Sequence, residues 1–421
     1  MLELLRDLTY LKYWLAVVVS FLGDAMSRIT LIYVAATLVD NPAVIALVIM
    51  AQLLPSGVLG AFIGPLADRV SKRVLLIGAD LGRIVIVLAM IPALRSVSLL
   101  LVLILLEGVG KAFFETARIA AIPKIIGSPQ RIPAAVTLFQ STNHTLNLLG
   151  PALGGLLLVI GNVSVVMMIN AATFAGSALL LAAMPVLREV PTAAAGGHEP
   201  YWQALRTGVR AVLSVASLRF LAAFLVPIMV VLGLFTTNFN AQLLMVFDLP
   251  ALEYGVAQAV FGGGCVIGAL LGPAMMRRLP AGRALVVSVG LFALTLLALA
   301  PVDGLTGRAE LAGAATWCLL TGISSSLLQV PIATAILRDL GEEVRGRGVG
   351  LINSIMVLLT IAGVGLGGLI ATAWGVTASI IVAGVALIVA TAVFVRPALR
   401  LGTARPGPTP AAPDRVAAGR D

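Results

Sequence analysis

LKYWLAVVVSFLGDAMSRITLIYVAATL, residues 11–38, is an apolar run longer than the roughly 20 residues that cross a bilayer as helix. Inside it stand Asp24 and Arg28, one helical turn apart. A charge at the centre of a membrane helix costs about 2.5–3.5 kcal/mol on insertion scales. A helix that keeps two of them has a use for them.

The rest of the chain agrees with a membrane reading. Of 421 residues, 60% are hydrophobic and only 11% charged, against roughly 25% in a soluble chain. Mean hydropathy is +1.07. The apolar runs are continuous and do not alternate with polar residues, which excludes an outer-membrane barrel. The 43 glycines suit helices whose backbones approach closely. The fold class expected is an all-α polytopic membrane protein. Met1–Lys12 is short and mixed in character, and the run after it is too long for a cleavable signal.

Twelve spans are predicted, at 11–38, 43–65, 74–93, 97–121, 134–160, 163–184, 218–244, 252–276, 283–301, 310–337, 348–373 and 376–395. Residues 1–184 and 218–396 then form two six-helix bundles. They are joined by a polar, Ala/Gly/Pro-containing linker at 185–217 and followed by a disordered tail at 397–421. The basic residues set the orientation. Arg69, Lys72, Arg73, Lys124, Arg131, Arg277, Arg278, Arg338, Arg345 and Arg347 fall in alternate loops, and the linker adds more. The opposite loops hold only Arg95 and Arg308 beside several acids. Both termini are therefore expected in the cytoplasm, in a multi-pass inner-membrane protein. The net charge of +9 reflects topology, so no nucleic-acid partner is expected. Cys265 and Cys318 lie in apolar runs and the two histidines cannot build a cage, so no disulfide framework, metal or cofactor is expected.

The halves echo each other. GPLADRVSKR at 64–73 returns as GPAMMRRLPAGR at 272–283, and GPALGG at 150–155 as GVGLGG at 363–368. Duplicated halves usually place the substrate path between them, near the midplane.

GPLADRVSKR resembles the signature loop of the major facilitator superfamily in residue identity, in loop position and in its twelve-span setting. GPALGG resembles the core of a motif in that superfamily's drug antiporters, with Leu146 where the motif has a further Gly. KAFFETARIAAIPKII, 111–126, resembles the branch that holds macrolide-efflux and siderophore-export proteins. The resemblance implies two pseudo-symmetric bundles, transport by alternating access, and proton antiport. Protons, membrane lipids and a small-molecule substrate are the partners, and the protein is expected to act as a monomer.

Candidate residues follow from residue type and depth. Gly64, Asp68, Arg69 and Arg73 are read as a cytoplasmic latch, closing on the glycine-rich start of span 11 at Gly346. Gly150, Pro151, Gly154 and Gly155 are read as a hinge or a tight-packing segment. Asp24, Arg28, Glu107 and Lys111, with Glu115 one turn further, fall on spans 1 and 4, which line the central cavity in the resembled fold. They form either one proton-exchanging cluster or two intrahelical ion pairs. Gln140, Asn143, His144 and Asn147 share one face of span 5 by their i, i+3, i+4, i+7 spacing. Asn238, Asn240, Gln258, Gln329 and Asn353 are further polar residues that either meet substrate or bind neighbouring helices. Few polar groups and 5% aromatic residues suit an amphipathic or lipophilic substrate better than a sugar. Drug efflux is the leading reading, with siderophore or lysophospholipid transport as alternatives. A receptor or enzyme is disfavoured, because neither a soluble module nor a catalytic constellation is present.

Overall fold

The computed structural model describes residues 4–128, 131–187, 216–305, 307–339 and 345–400. Twelve long helices account for nearly all of them: α1 Leu8–Leu38, α2 Pro42–Arg69, α3 Lys72–Ala93, α4 Val97–Ile126, α5 Ile132–Ile160, α6 Val163–Ala182, α7 Ala216–Ala241, α8 Ala251–Arg278, α9 Ala281–Leu297, α10 Arg308–Asp339, α11 Arg345–Trp374 and α12 Val376–Arg400. A π turn, Gln242–Val246, ends α7, and one more helical turn, Leu299–Asp303, follows α9. The predicted spans match these helices to within a few residues. The expected tail begins later than 397, because α12 runs on to Arg400. Most of the expected linker and tail lies outside the described residues.

The helices start and stop where side chains satisfy their free backbone groups. Asp7, Ser71, Ser96 and Asn162 accept hydrogen bonds from the first-turn amides of α1, α3, α4 and α6. Gly127 at φ 64° and Gly375 at φ 88° end α4 and α11 in the left-handed conformation that glycine adopts without strain. Among the described residues, eleven helices are long and apolar enough to cross a membrane.

Helix contacts repeat with a shift of six. α1 packs on α5 and α6, α2 on α4, and α3 on α4 and α6; α7 packs on α11 and α12, α8 on α10, and α9 on α10 and α12. The two sets meet along α2–α11 and α5–α8, which are themselves equivalent under the same shift. Small residues make the close contacts. Gly264 and Gly268 bring α8 against the α10 backbone at Leu319 and Ile323. In hydrocarbon such packing, rather than burial from water, holds helices together. An aromatic cluster of Phe235, Phe239, Phe261, Phe292 and Trp317 joins α7 to α8, α9 and α10.

Candidate functional site

Arg83, in α3, is fully buried, and three helices converge on its guanidinium. Nη2 pairs with Asp24 of α1 and, at 2.6 Å, with Oε1 of Glu107 in α4. Nε donates to the same Glu107 oxygen at 2.9 Å. Asp80, one turn earlier in α3 and also fully buried, places Oδ1 3.9 Å from Nη1. Phe174 of α6 stacks its ring 4.0 Å below the guanidinium carbon, a cation–π contact. Lys111 Nζ lies 3.7 Å from the second oxygen of Asp24.

Two glycines make this convergence possible. A Cβ at Gly23 would land on Thr173 and Asn170 of α6, so the bare backbone lets α1 approach and bring Asp24 inward. A Cβ at Gly110 would lie 2.6 Å from Cγ of Arg83, so the EGVGK segment of α4 leaves a slot for the arginine stem. Asn170 completes the α1–α6 contact by donating to Ser27 Oγ at 2.9 Å.

The acids and bases balance: Asp24, Asp80 and Glu107 stand against Arg28, Arg83 and Lys111. One guanidinium serves two carboxylates, with a third close by.

The cluster is also paired between helices. Asp24 and Glu107 both turn to Arg83, and Lys111 turns to Asp24. Glu115 pairs with Arg118 at 2.5 Å, and Arg118 in turn lies over the rings of Phe21 and Phe139. Asp80 and Arg83 are not among the candidates that residue type and depth suggest. Their signal is nonetheless present in the sequence, as two charges three residues apart inside the predicted span 74–93, the same kind of signal that singles out Asp24.

A cavity of about 650 Å³ lies between the two sets of helices, within the usual range for small-molecule sites. Its walls come from α1, α2, α5, α7 and α8. Phe235, Phe239 and Phe261 form the aromatic side, with Trp317 behind Phe239 at 5.5 Å. The polar lining includes Arg28, Gln52, Thr236, Asn240 and Gln258. Asn240 Oδ1 accepts from Tyr254 Oη at 2.5 Å and from Gln258 Nε2 at 2.7 Å. A smaller polar pocket of about 150 Å³ adjoins Arg28 and is lined by Asp24, Lys111, Glu115 and Asn143.

The cavity is closed at the end away from the N-terminus. There Tyr33 of α1 stacks on Tyr254 of α8 at 6.4 Å, and Thr372 of α11 donates to Asn41 before α2 at 3.1 Å. On the other side its lining runs down α8 to Ala269 and the exposed Leu270.

The remaining predicted residues separate. Asn240 and Gln258 line the cavity, whereas Asn238 is fully buried and donates to Ser379 of α12 at 2.7 Å, binding two helices together. Gln329 is exposed on α10 and is not among the described residues that line the cavity. The side chains of Gln140, His144, Asn147 and Asn353 lie outside the described residues, as do those of the expected latch at Asp68 and Arg69 with its neighbours Gly64 and Gly346. Arg73 donates to the carbonyl of Ala182 at the end of α6, so the structure gives it a helix-capping contact within the first six helices.

The glycines of GPALGG are packing surfaces. A Cβ at Gly150 would meet Ala25 and one at Gly154 would lie 2.8 Å from the Met26 carbonyl, both on α1. A Cβ at Gly155 would lie 2.8 Å from the Ala251 carbonyl of α8, while Pro151 lines the cavity. The echo repeats the roles: Gly363 and Gly367 seat α11 on α7, and Gly368 seats it on α2.

The two cysteines provide a built-in reporter. Cys265 lines the cavity and Cys318 is fully buried. A small maleimide is expected to alkylate Cys265 in the folded protein and to spare Cys318 until denaturation. Peptide mass spectrometry checks this, and equal labelling of both would contradict the cavity.

Comparison with known proteins adds the family. The family model described as "Major Facilitator Superfamily" matches residues 13–363. An uncharacterized MFS-type transporter of Bacillus subtilis (strain 168), YfiS, is 26% identical over 385 residues, covering 88% of each chain. Among solved structures, a bacterial homologue of the iron transporter ferroportin in an inward-facing state superposes with a TM-score of 0.74 at 14% identity, over 94% of this chain and 99% of that one. The nucleoside transporter NupG gives 0.72 at 12% identity, over 93% and 98%. A bacterial homologue of the human lysosomal transporter Spinster, also inward-facing, gives 0.70 at 14%, over 94% and 99%. At these identities the structural matches speak to the fold alone, but the family match spans most of the chain. With a helix arrangement that repeats after six and a cavity between the repeats, the chain belongs to the major facilitator superfamily of multi-pass membrane transporters.

Proposed function

We propose that the protein exports amphipathic or lipophilic small molecules in exchange for protons, by alternating access. In this reading it is a transporter and not an enzyme. Its N-terminal end, with the basic loops, faces the cytoplasm, and the cavity loads from that side. The observation that carries the reading is the position of Arg28. It borders the 650 Å³ apolar and aromatic cavity and also the pockets that hold Asp24, Glu107 and Lys111. Substrate space and titratable space thus share one residue, so occupancy of one is felt in the other.

Transport follows from rocking of the two six-helix sets about the cavity. Protonation at Asp24 or Glu107 loosens the grip on Arg83, and substrate in the cavity changes the field at Arg28. Each ligand thereby biases the same set of helix contacts, which is what coupling requires. The test is proton release from purified protein when candidate amphiphiles are added, comparing wild type with Asp24→Asn and Glu107→Gln. Release by wild type that is lost in either variant is the expected result. Equal binding without proton release in all three would leave the acids structural and the antiport reading wrong.

A further inference from the structure

We infer that the cavity selects amphiphiles whose polar head carries an N–H or O–H donor, such as a carboxamide or a hydroxyl, and holds that head between Gln52 of α2 and Gln258 of α8. This rests on the amphiphile reading of the cavity given above and narrows it to one class of head group.

Charge does not make the choice. Among the described residues that line the cavity, Arg28 is the only charged one. Asp24, one turn earlier in α1, acts on it electrostatically and lines the same two smaller pockets. The guanidinium is thus answered by a carboxylate, and selection falls to hydrogen bonds.

A chain of bonds that starts at a backbone carbonyl fixes Gln258 as an acceptor. The Thr236 carbonyl can only accept, so Asn240 turns Nδ2 to it, at 2.6 Å. Asn240 Oδ1 then faces α8, where it accepts from Tyr254 Oη at 2.5 Å and from Gln258 Nε2 at 2.7 Å. Gln258 Nε2 also donates to Tyr254 Oη at 3.2 Å, which uses both of its hydrogens. Gln258 Oε1 is left over. Among the described residues no donor reaches it, and it is not sealed inside the protein, because Gln258 forms part of the cavity wall. The residue is only 8% exposed, so whatever meets this oxygen comes through the cavity. A ligand without a donor would displace water there and leave the acceptor unpaired, which a site of this kind rejects.

Gln52 supplies the other side. It is half-buried, borders both the cavity and the pocket of Asp24 and Glu107, and makes no hydrogen bond to a described residue. Its amide both donates and accepts. A carboxamide or a hydroxyl answers both glutamines at once, giving a hydrogen to Gln258 and taking one from Gln52. A carboxylate or a quaternary ammonium has no hydrogen to give Gln258. The apolar body then lies against Phe235, Phe239 and Phe261 and along the α8 wall toward Leu270. The two glutamines belong to different six-helix sets, so a head that bridges them favours whichever state brings them together.

Cys265, which lines the same cavity, supplies the measurement, and the fully buried Cys318 is its internal control. Protein in phosphatidylcholine nanodiscs is treated with a small maleimide in the presence of decanamide or N,N-dimethyldecanamide, which lacks the N–H donors. Decanol and decyl methyl ether form a second pair. Half-protection concentrations are corrected for partition into empty nanodiscs. The donor-bearing member of each pair is expected to protect Cys265 at a concentration roughly tenfold or more lower. Gln258→Leu removes that advantage. Gln52→Leu weakens both members of a pair alike, since each keeps its acceptor oxygen, and leaves the advantage in place. The comparison within each pair is made on unaltered protein and needs no variant to fold; labelling of Cys318 would expose a variant that does not. Equal protection within both pairs overturns the donor requirement and leaves the amphiphile cavity standing. An advantage that survives Gln258→Leu overturns Gln258 as the acceptor, and protection unchanged by Gln52→Leu overturns Gln52 as its partner. If no probe protects Cys265, both this inference and the amphiphile reading fail.

Discussion

Arg83→Met is expected to abolish the proposed proton-coupled transport and to lower stability by about 3–5 kcal/mol, the cost of leaving a buried charge partner uncompensated. The side chain is fully buried, and its removal takes away the cation that Asp24 and Glu107 share, leaving Glu107 without its ion-pair partner and Asp24 with Lys111 at 3.7 Å. Arg83→Lys is intermediate, because one ammonium cannot reproduce a fork that reaches two carboxylates and lies flat on Phe174. Adding Asp24→Asn and Glu107→Gln to Arg83→Met restores most of the stability, since the unpaired acids are then neutral, but not the coupling. Thermal unfolding of the purified variants, together with substrate-driven proton flux in proteoliposomes, measures the two effects separately. Wild-type flux in Arg83→Met would remove the cluster from the mechanism.

Gly155→Val acts on the conformational equilibrium. At this position α5 of one half touches α8 of the other, and a Cβ would lie 2.8 Å from the Ala251 carbonyl and 2.9 Å from the Gly255 Cα. Both are backbone atoms and cannot move aside as a flexible side chain would. Overpacking of this kind costs about 1–3 kcal/mol. Here the cost falls on the state in which this end of the interface is closed. The equilibrium should therefore move roughly 5–150-fold toward the opposite state. The result expected is a correspondingly slower alkylation of Cys265, whose access depends on the present open side, and a loss of turnover. Gly368→Val at the equivalent α11–α2 contact, where a Cβ would lie 2.6 Å from Ala46 Cβ, should do the same. Gly290, with open space around it, provides the control. Unchanged alkylation and turnover in both variants would mean that these contacts do not separate during transport.

Much of this molecule is legible in the order of its residues. A continuous apolar run of this length can only be a membrane helix, so the span count, the six-helix period and the glycine echoes follow from composition and spacing. The cost of a charge in hydrocarbon likewise marks Asp24 and Glu107 as functional candidates. The same cost applies to Asp80 and Arg83, and weighing it evenly along span 74–93 would have added them to the candidates.

What the linear pattern could not supply was the choice of partner. Spacing of four residues makes Asp24–Arg28 and Glu107–Lys111 look like pairs within their helices. The structure also brings α3 between α1, α4 and α6, where one buried guanidinium can satisfy two acids at once. Asn238 and Asn240, two residues apart in one polar stretch, face different neighbours because a helix turns about 100° per residue. The first binds α12 and the second lines the cavity. The glycines of GPALGG read as a hinge or a tight-packing segment in sequence; the fold shows which backbones they pack on, those of α1 and α8. The sequence by itself determined how many helices cross the membrane and how they repeat, since hydropathy and period are local properties. Tertiary structure alone decided which charge meets which and where the cavity lies, since those depend on contacts between helices distant in the chain.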